Sequence, residues 1–246
     1  MFPVDNDLTL DRLGEMHVLL TSLLDEKDRE IAALRSAPNP SRDPNRRAYW
    51  VVDDFEEALA DYCGAPHAVT VSSCTAALFL SLTLDRVKGN VHPFTEIQLP
   101  HRTYIGVVRS VRHAGFGVYW NYAPWEGRYW LSPSRAVDAA RDFRRGCHEP
   151  GRLVCLSFHV AKQMPLGEGG AILCDSVEDA TWLRAARSDG RWHGTDRVMG
   201  QGFGWHYPMP PDVAARGLWM LGTMPDVPAD RSHPYEQYED VSLTGA

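Results

Sequence analysis

The feature that most constrains the fold is a regular alternation of two residue patterns between residues 48 and 190. Apolar runs of strand length occur at HAVTVSS, FTEIQLP, GVYWNY, RAVDAA, LVCLSF and GGAILCD. Amphipathic segments of helical periodicity occur at DDFEEALADYCG, TAALFLSLTLD, YIGVVRSVRHAG and SVEDATWLRAARSDG. Gly64 ends the first of these helices at a C-cap position, and Ser176 begins the last as an N-cap. The alternation predicts an α/β fold with a mostly parallel or mixed sheet flanked by helices.

The chain has three predicted parts. Leu8 to Arg35 carries apolar residues at helical spacing, interrupted by DEKDRE, and predicts an added N-terminal helix that packs on its own domain or forms a dimer contact. Residues 36–47 contain three prolines and predict a linker or exposed loop. We therefore expect a helix and linker over 1–47, a compact α/β domain over 48–225 and an extended tail over 226–246.

Composition excludes several classes of protein. The hydrophobic fraction of 44% is ordinary for a globular protein, and a net charge of −7 argues against a broad nucleic-acid or membrane surface. Five cysteines without a CxxC pair favour a reducing compartment over a disulfide framework. The sequence shows no signal-peptide pattern and no apolar run of membrane-spanning length, so we expect a cytoplasmic protein.

Two predicted strand ends carry groups suited to a ligand. VSSCTAAL joins a strand directly to a helix, and its hydroxyls at Ser72, Ser73 and Thr75 indicate either a phosphate seat or an ordinary N-cap. Asp138 lies in the apolar stretch AVDAAR, where a buried carboxylate needs a cation or a hydrogen-bond donor. A helix cap or a structural salt bridge would satisfy Asp138 equally well.

Lys162 is one of only three lysines, with Lys27 and Lys88, among 25 basic residues. A desolvated lysine can lose its proton, whereas arginine in practice cannot, and only a neutral amine forms a Schiff base. A lysine before the glycine-rich turn GEGG is therefore a candidate nucleophile, the alternative being a surface lysine in a loop.

Taken in order, SSCTAAL, PHRTY, VDAAR and SFHVAK followed by GEGGAI resemble the DegT/DnrJ/EryC1/StrS family of sugar aminotransferases. These enzymes use pyridoxal 5'-phosphate (PLP) and have the fold type I of aspartate aminotransferase. The resemblance covers roughly Phe55 to Leu221 and implies a PLP-binding domain of that type. It also implies a homodimer with active sites shared across the interface.

The resemblance assigns a role to each matched residue. Lys162 would hold PLP as a Schiff base, and Asp138 would pair with the pyridinium nitrogen of the ring. Tyr104 would stack on the ring. The phosphate contacts would come from Thr75, from the backbone at Cys74 and from Ser157.

The sequence also departs from the family pattern. Cys74 replaces the usual glycine, Arg141 the usual glutamine that contacts the phenolic oxygen, and His206 the asparagine that reaches a neighbouring subunit's phosphate. The segment between Asn121 and Asp138 is shorter than the helix and strand found there in the family. We also expect the family's C-terminal domain to be missing, so that the cofactor site is retained while the substrate site is rebuilt or lost.

The resemblance therefore predicts an aminotransferase that moves an amino group from a small-molecule donor to a carbonyl acceptor, by family default a nucleotide sugar. PLP also supports decarboxylation and elimination, so a decarboxylase or lyase acting on a larger carrier stays open. The departures leave a second alternative, in which a degenerate or split family member serves as a non-catalytic binding or scaffold subunit.

Overall fold

The computed structural model describes residues 49–191, 203–228 and 234–244, all of which belong to the unit Tyr49–Ala246. The predicted N-terminal helix and linker lie outside the described residues. The elements in chain order are α1 (Trp50–Cys63), β1 (His67–Val71), α2 (Cys74–Val87), β2 (Glu96–Pro100), α3 (Ile105–His113), β3 (Gly117–Asn121), β4 (Tyr129–Trp130), β5 (Ala136–Asp138), β6 (Leu153–Ser157), β7 (Gly170–Cys174), α4 (Val177–Ala186), α5 (Pro211–Leu221) and two 3-10 turns (Tyr235–Gln237 and Val241–Leu243).

The main sheet has five strands in the order β1-β7-β6-β5-β4. Its β5–β6 pair is parallel, and its other three neighbouring pairs are antiparallel. A separate parallel pair, β2–β3, is connected to the main sheet where the N–H of Gln98 donates to the carbonyl of Ser132 at 2.7 Å. The α/β fold with a mixed sheet is confirmed, although the main sheet is more antiparallel than the alternation suggests. The reason is that β6 returns to β7 through a turn, without the helical crossover that a parallel neighbour requires.

Within the described residues, the strands and helices predicted from residue 48 onward occur within a few residues of their expected bounds. Gly64 caps α1 in the left-handed conformation (φ 70°) and donates to the carbonyls of Ala60 and Asp61, while the Ser176 side chain accepts from the N–H of Asp179. The structure adds β4, which is too short to show a pattern, and α5, which begins on Pro211 at its first position.

The tail predicted to be extended is folded where the structure describes it. Residues 234–244 form the two 3-10 turns, and Val241 is buried with its N–H bonded to the carbonyl of His101 at 2.9 Å. Asp240 accepts from Nδ1 of His101 at 3.0 Å. These long-range contacts, which no local pattern reports, hold the segment against the start of α3. The domain boundaries at 47 and 225 stay a prediction.

The main sheet is covered on both faces. Leu153 and Cys155 of β6 pack into the core beside α2, α3 and α4, whereas Val154 and Leu156 pack into a second core beside α1 and α5. Alternate side chains of a strand point to opposite faces, so a buried central strand reads as a continuous apolar run. This explains the uninterrupted LVCLS sequence of β6.

A buried ion-pair network around Glu56 links α1, β1 and α4. The Glu56 carboxylate accepts from the N–H of Thr70 at 2.8 Å and from Nε of Arg184 at 2.8 Å, and it also pairs with Arg187. Burial by itself raises the pKa of Glu56, but the guanidinium groups of Arg187 and Arg184 and the Thr70 N–H together hold it below its usual value. The carboxylate therefore stays charged in the interior.

Replacing Glu56 by Gln should lower the free energy of unfolding by about 3–5 kcal/mol, because Arg187 is then left buried without its carboxylate. The neighbouring exposed Glu57→Gln is the matched control and should have little effect. Denaturant unfolding at neutral pH measures the free energy of unfolding of both variants. Equal values for Glu56→Gln and Glu57→Gln would contradict a stabilising role for the buried ion pairs of Glu56.

The same network predicts a pH dependence. Because the pKa of Glu56 is lower in the folded than in the unfolded state, its contribution to stability is complete above the unfolded-state pKa. That contribution is lost as the pH falls through the folded-state pKa. The difference in the free energy of unfolding between the wild type and Glu56→Gln should therefore become smaller as the pH is lowered. Denaturant unfolding midpoints of both proteins over a pH series measure this change.

Candidate active site

A cavity of about 490 Å³ lies at the carboxyl ends of β5 and β6. Asp138 is the last residue of β5 and Ser157 the last of β6, and because these strands are parallel, both residues reach the same edge of the sheet. Seven of the eight residues singled out from the sequence line this cavity: Cys74, Thr75, Tyr104, Asp138, Arg141, Ser157 and Lys162.

The N-terminus of α2 forms one side of the cavity. Ser73 is its N-cap, with Oγ accepting from the N–H of Ala76 at 3.1 Å, and Ser73, Cys74 and Thr75 all line the space. The first N–H groups of a helix lack partners within it, and together with the helix dipole they favour an anion. A Cβ added to Gly170 would lie 2.6 Å from the backbone nitrogen of Cys74, so β7 needs a glycine where it passes the start of α2.

Asp138 is buried, and each of its oxygens accepts a hydrogen bond. Oδ1 accepts from the N–H of Ala140 at 2.9 Å, and Oδ2 accepts from the hydroxyl of Tyr129 at 2.8 Å. Burial raises the pKa of Asp138 above its usual value, while the two donors and the positive charges of Lys162 and Arg141 offset part of that rise. The carboxylate thus has neutral hydrogen-bond donors and faces two cations across the cavity.

Lys162 lies in the connection between β6 and β7. Its N–H donates to the carbonyl of His159 at 2.9 Å, and Val160 and Leu166 close the same turn through bonds to Gly167 and Phe158. Burial and the nearby charge of Arg141 lower the pKa of Lys162, and Asp138 opposes the shift. A lysine with a lowered pKa has a larger fraction of the neutral, nucleophilic amine.

Arg141 and Cys74, two of the residues that differ from the family pattern, line the cavity. Nε of Arg141 donates to the hydroxyl of Tyr238 at 2.9 Å, and the Arg141 carbonyl accepts from Gln163 at 2.5 Å. The Cys74 thiol lies 3.7 Å from the carbonyl of Cys155, and burial together with Asp138 raises its pKa well above its usual value. Cys74 is therefore a neutral thiol against the sheet.

Tyr104 immediately precedes α3 and is 61% exposed. A Cβ added to Gly106 would lie 2.5 Å from the Tyr104 ring and 3.1 Å from Oγ1 of Thr75. Gly106 therefore leaves room for the ring beside the start of α2. The ring lies at the cavity with one side open, as a stacking platform for a planar ligand requires.

His206 is the one predicted residue that does not line the cavity. Its ring is largely exposed, and Nδ1 lies 3.1 Å from Oδ2 of Asp189. It also forms an isolated bridge with Ser188. Its assigned role on a neighbouring subunit's phosphate stays a prediction.

Three aromatic residues of the cavity region were missed by the motifs. Trp125 and Tyr238 line the cavity with ring centroids 5.4 Å apart, and Tyr129 packs against Trp125 with ring centroids 4.7 Å apart. Trp125 and Tyr129 could have been found from the sequence, because the shortened connection YAPWEGRYW is rich in aromatic residues. Tyr238 had no signal because it lies in the segment predicted to be an extended tail.

The residues that the structure describes give no support to a metal site or to a membrane-spanning helix. No group of three or more potential metal ligands occurs among them. Within the same ranges, no helix has the length and apolar character needed to cross a membrane. All five cysteines are free in the structure.

The lowered pKa of Lys162 predicts that it reacts several-fold faster than Lys88, whose Nζ is in contact with the Asp179 carboxylate, with an amine-directed reagent near neutral pH. Arg141→Gln should slow the labelling of Lys162, because removing the guanidinium removes the repulsion that favours the neutral amine. Mass spectrometry of a labelling time course measures both rates, with Lys88 as the internal control. Faster labelling of Lys88, or no effect of Arg141→Gln, would contradict this account.

Comparison with known proteins finds a matching family and a curated relative. The sequence pattern of the DegT/DnrJ/EryC1/StrS aminotransferase family matches residues 42–121 and 139–242. A 94-residue stretch is 34% identical to the GDP-perosamine synthase of Caulobacter vibrioides and covers 32% of this chain and 24% of that protein. The chain thus spans about a quarter of the length of this curated relative.

Two solved structures show a similar fold. A putative PLP-dependent aminotransferase from Bacillus cereus matches with a TM-score of 0.59 and 16% identity over 72% of this chain and 59% of that one. The NtdA protein of Bacillus subtilis, solved with bound cofactor PMP, matches with a TM-score of 0.56 and 18% identity over 89% of this chain and 55% of that one. These likenesses confirm the predicted fold-type-I α/β architecture.

Proposed function

Because the chain belongs to the DegT/DnrJ/EryC1/StrS aminotransferase family, we propose that it binds PLP in this cavity and transfers an amino group from a small-molecule donor to a carbonyl acceptor. The observation that carries the proposal is that Lys162 and Asp138 line one cavity together with Ser157 and the N-terminus of α2. A nucleophilic amine, a buried carboxylate and an anion seat are the three groups that this cofactor needs.

The residues present fit the cofactor group by group. The N-terminus of α2, with Thr75 and Ser157, offers N–H and hydroxyl donors to a phosphate. Asp138 offers a carboxylate to a protonated ring nitrogen, and Tyr104 offers an exposed aromatic face beside them. The cavity volume of about 490 Å³ lies within the range of about 300–1,000 Å³ typical of small-molecule sites.

Lys162 has two tasks in the proposed reaction. Its neutral amine would hold PLP through the aldehyde carbon, whose oxygen leaves as water. Once the amine of the donor has taken its place, the freed Lys162 amine would move a proton to and from the substrate carbon that carries the transferred nitrogen. When bound, PLP supplies an electron sink that stabilises negative charge at that carbon. Asp138 would keep a proton on the ring nitrogen, and Arg141 would bring a positive charge to the cavity where the family pattern has a neutral glutamine.

The acceptor that we propose is a sugar carbonyl, which the name of the perosamine synthase supports. We further propose that the protein acts as a homodimer in the cytoplasm, with His206 directed to the cofactor phosphate of the neighbouring subunit. The exposed position of His206, away from the cavity of its own chain, supports that direction.

Addition of PLP to the purified protein should produce a visible absorption band, and borohydride should then fix the cofactor on the peptide that contains Lys162. Lys162→Ala should abolish the covalent attachment without unfolding the protein, because the side chain lies in a partly exposed loop. Lys88→Ala is the matched control and should leave the attachment unchanged. Mass spectrometry of the reduced protein identifies the modified lysine, and attachment at Lys88 or at neither lysine would refute the proposed site.

Amino donors are then tested by the loss of that visible band in the absence of an acceptor. A donor that bleaches the band in the wild type, with the amino group retained on the cofactor, identifies transamination. PLP binding without bleaching by any amino acid would favour the other PLP chemistries. No PLP binding at all would favour the non-catalytic alternative.

A further inference from the structure

A short chain of hydrogen bonds leads from the protein interior to the buried carboxylate of the site. Oγ1 of Thr103 lies 2.5 Å from the hydroxyl of Tyr129, and that hydroxyl donates to Oδ2 of Asp138 at 2.8 Å. Thr103 is buried at the wall of the cavity. Because the single phenolic hydrogen points to the carboxylate, the threonine hydroxyl donates to the phenolic oxygen.

The fold fixes Tyr129 in this position. Tyr129 and Asp138 are direct partners in the antiparallel β4–β5 ladder, where side chains of facing residues on one face of the sheet are neighbours. The ring of Trp125 packs against the Tyr129 ring at 4.7 Å between centroids, and the Trp125 Nε1 donates to the carbonyl of Arg102 at 2.9 Å. The hydroxyl thus reaches Asp138 from an ordered β-hairpin.

Because Asp138 is buried, its charged form depends on the hydrogen bond that the Tyr129 hydroxyl donates to it. The other oxygen of the carboxylate has the Ala140 N–H as its donor, and a buried charge without donors is strongly disfavoured. Burial and the charge of Asp138 raise the pKa of Tyr129 well above its usual value, so the phenol keeps its hydrogen and acts as a donor throughout the neutral range.

Tyr129 also lies outside the part of the chain that the family pattern describes. The two matched stretches end at residue 121 and begin again at residue 139, and β4 lies in the interval between them. Asp138 lies in the same interval, so the hydrogen-bonded pair of Tyr129 and Asp138 falls wholly between the two matched stretches.

We infer that Tyr129, supported by Thr103, is a positioning residue that keeps Asp138 ionised and directs it at the cofactor's ring nitrogen. The inference rests on the proposed PLP function for its second part, whereas the effect on Asp138 itself is a property of the protein alone. The other charged or titratable groups that face Asp138 are Lys162 and Arg141 from the loops, Cys74 from α2 and Cys155 from β6.

The first measurement uses the protein without PLP. A ¹³C-carboxyl titration of Asp138, assigned with Asp138→Asn, should show its pKa about one unit higher in Tyr129→Phe, because a hydrogen bond to a charged group is worth roughly a factor of ten. Thr103→Val should shift it in the same direction by less. Tyr119→Phe makes the same chemical change at an exposed tyrosine of β3 and should leave the titration unchanged.

The second measurement adds PLP and follows its affinity over a pH series. Tyr129→Phe should bind PLP roughly tenfold more weakly than the wild type, and the pH below which affinity falls should rise by about one unit. A change confined to folding would lower thermal stability without moving either pH profile. If Tyr129→Phe does not fold, Thr103→Val carries both measurements.

The outcomes separate the inference from the proposed function. An Asp138 titration that is the same in wild type, Tyr129→Phe and Thr103→Val overturns the inference whether or not PLP binds. A shifted titration with unchanged PLP affinity overturns the link to the cofactor and leaves the proposed function standing. Failure of the wild type to bind PLP overturns the proposed function, and the second part of the inference with it.

Discussion

The parallel pairing of β5 with β6 is the constraint on which the site depends. It brings the ends of two strands, and therefore Asp138 and Ser157, to the same edge of the sheet. The antiparallel neighbours then complete the arrangement from either side. On one side β4 presents Tyr129 to Asp138, and on the other β7 begins at Gly170, whose missing side chain lets the start of α2 approach. The N-terminus of α2 thus lies beside strand ends that it does not follow in the chain.

Two buried carboxylates of this protein are satisfied in different ways. Glu56 is paired with two guanidinium groups, and its pKa is lowered, so its charge serves the stability of the fold. Asp138 accepts from a backbone N–H and a phenol, and its pKa is raised, because neutral donors offset burial less completely than cations in contact. An incompletely compensated carboxylate at a cavity retains the capacity to bind a further cationic group. This contrast separates a structural carboxylate from one suited to a ligand.

Two segments in which the sequence motifs indicated no site residue contribute aromatic rings to the cavity region. The shortened connection before β5 supplies Trp125, which lines the cavity, and Tyr129, which packs against Trp125. The segment 234–244 supplies Tyr238, which lines the cavity and whose hydroxyl accepts from Arg141. Arg102 donates to the Tyr238 carbonyl at 2.7 Å, and Asp240 pairs with His101. The segment predicted to be an extended tail is therefore held against residues directly before α3. These contacts join positions that are 97 to 139 residues apart in the chain, and local composition does not report them.

The sequence by itself determined the class of fold, the positions of the predicted strands and helices, and seven residues of the cavity. Strand and helix periodicity and the caps at Gly64 and Ser176 are local properties that a single chain displays directly, whereas the cavity residues were indicated by the resemblance of the ordered motifs to the family pattern. Only the tertiary structure decided the antiparallel course of most of the sheet, the donor on Asp138, the place of Tyr238 and the position of His206 away from the cavity. Each of these depends on which distant segments become neighbours, and that outcome is set by the packing of the whole domain.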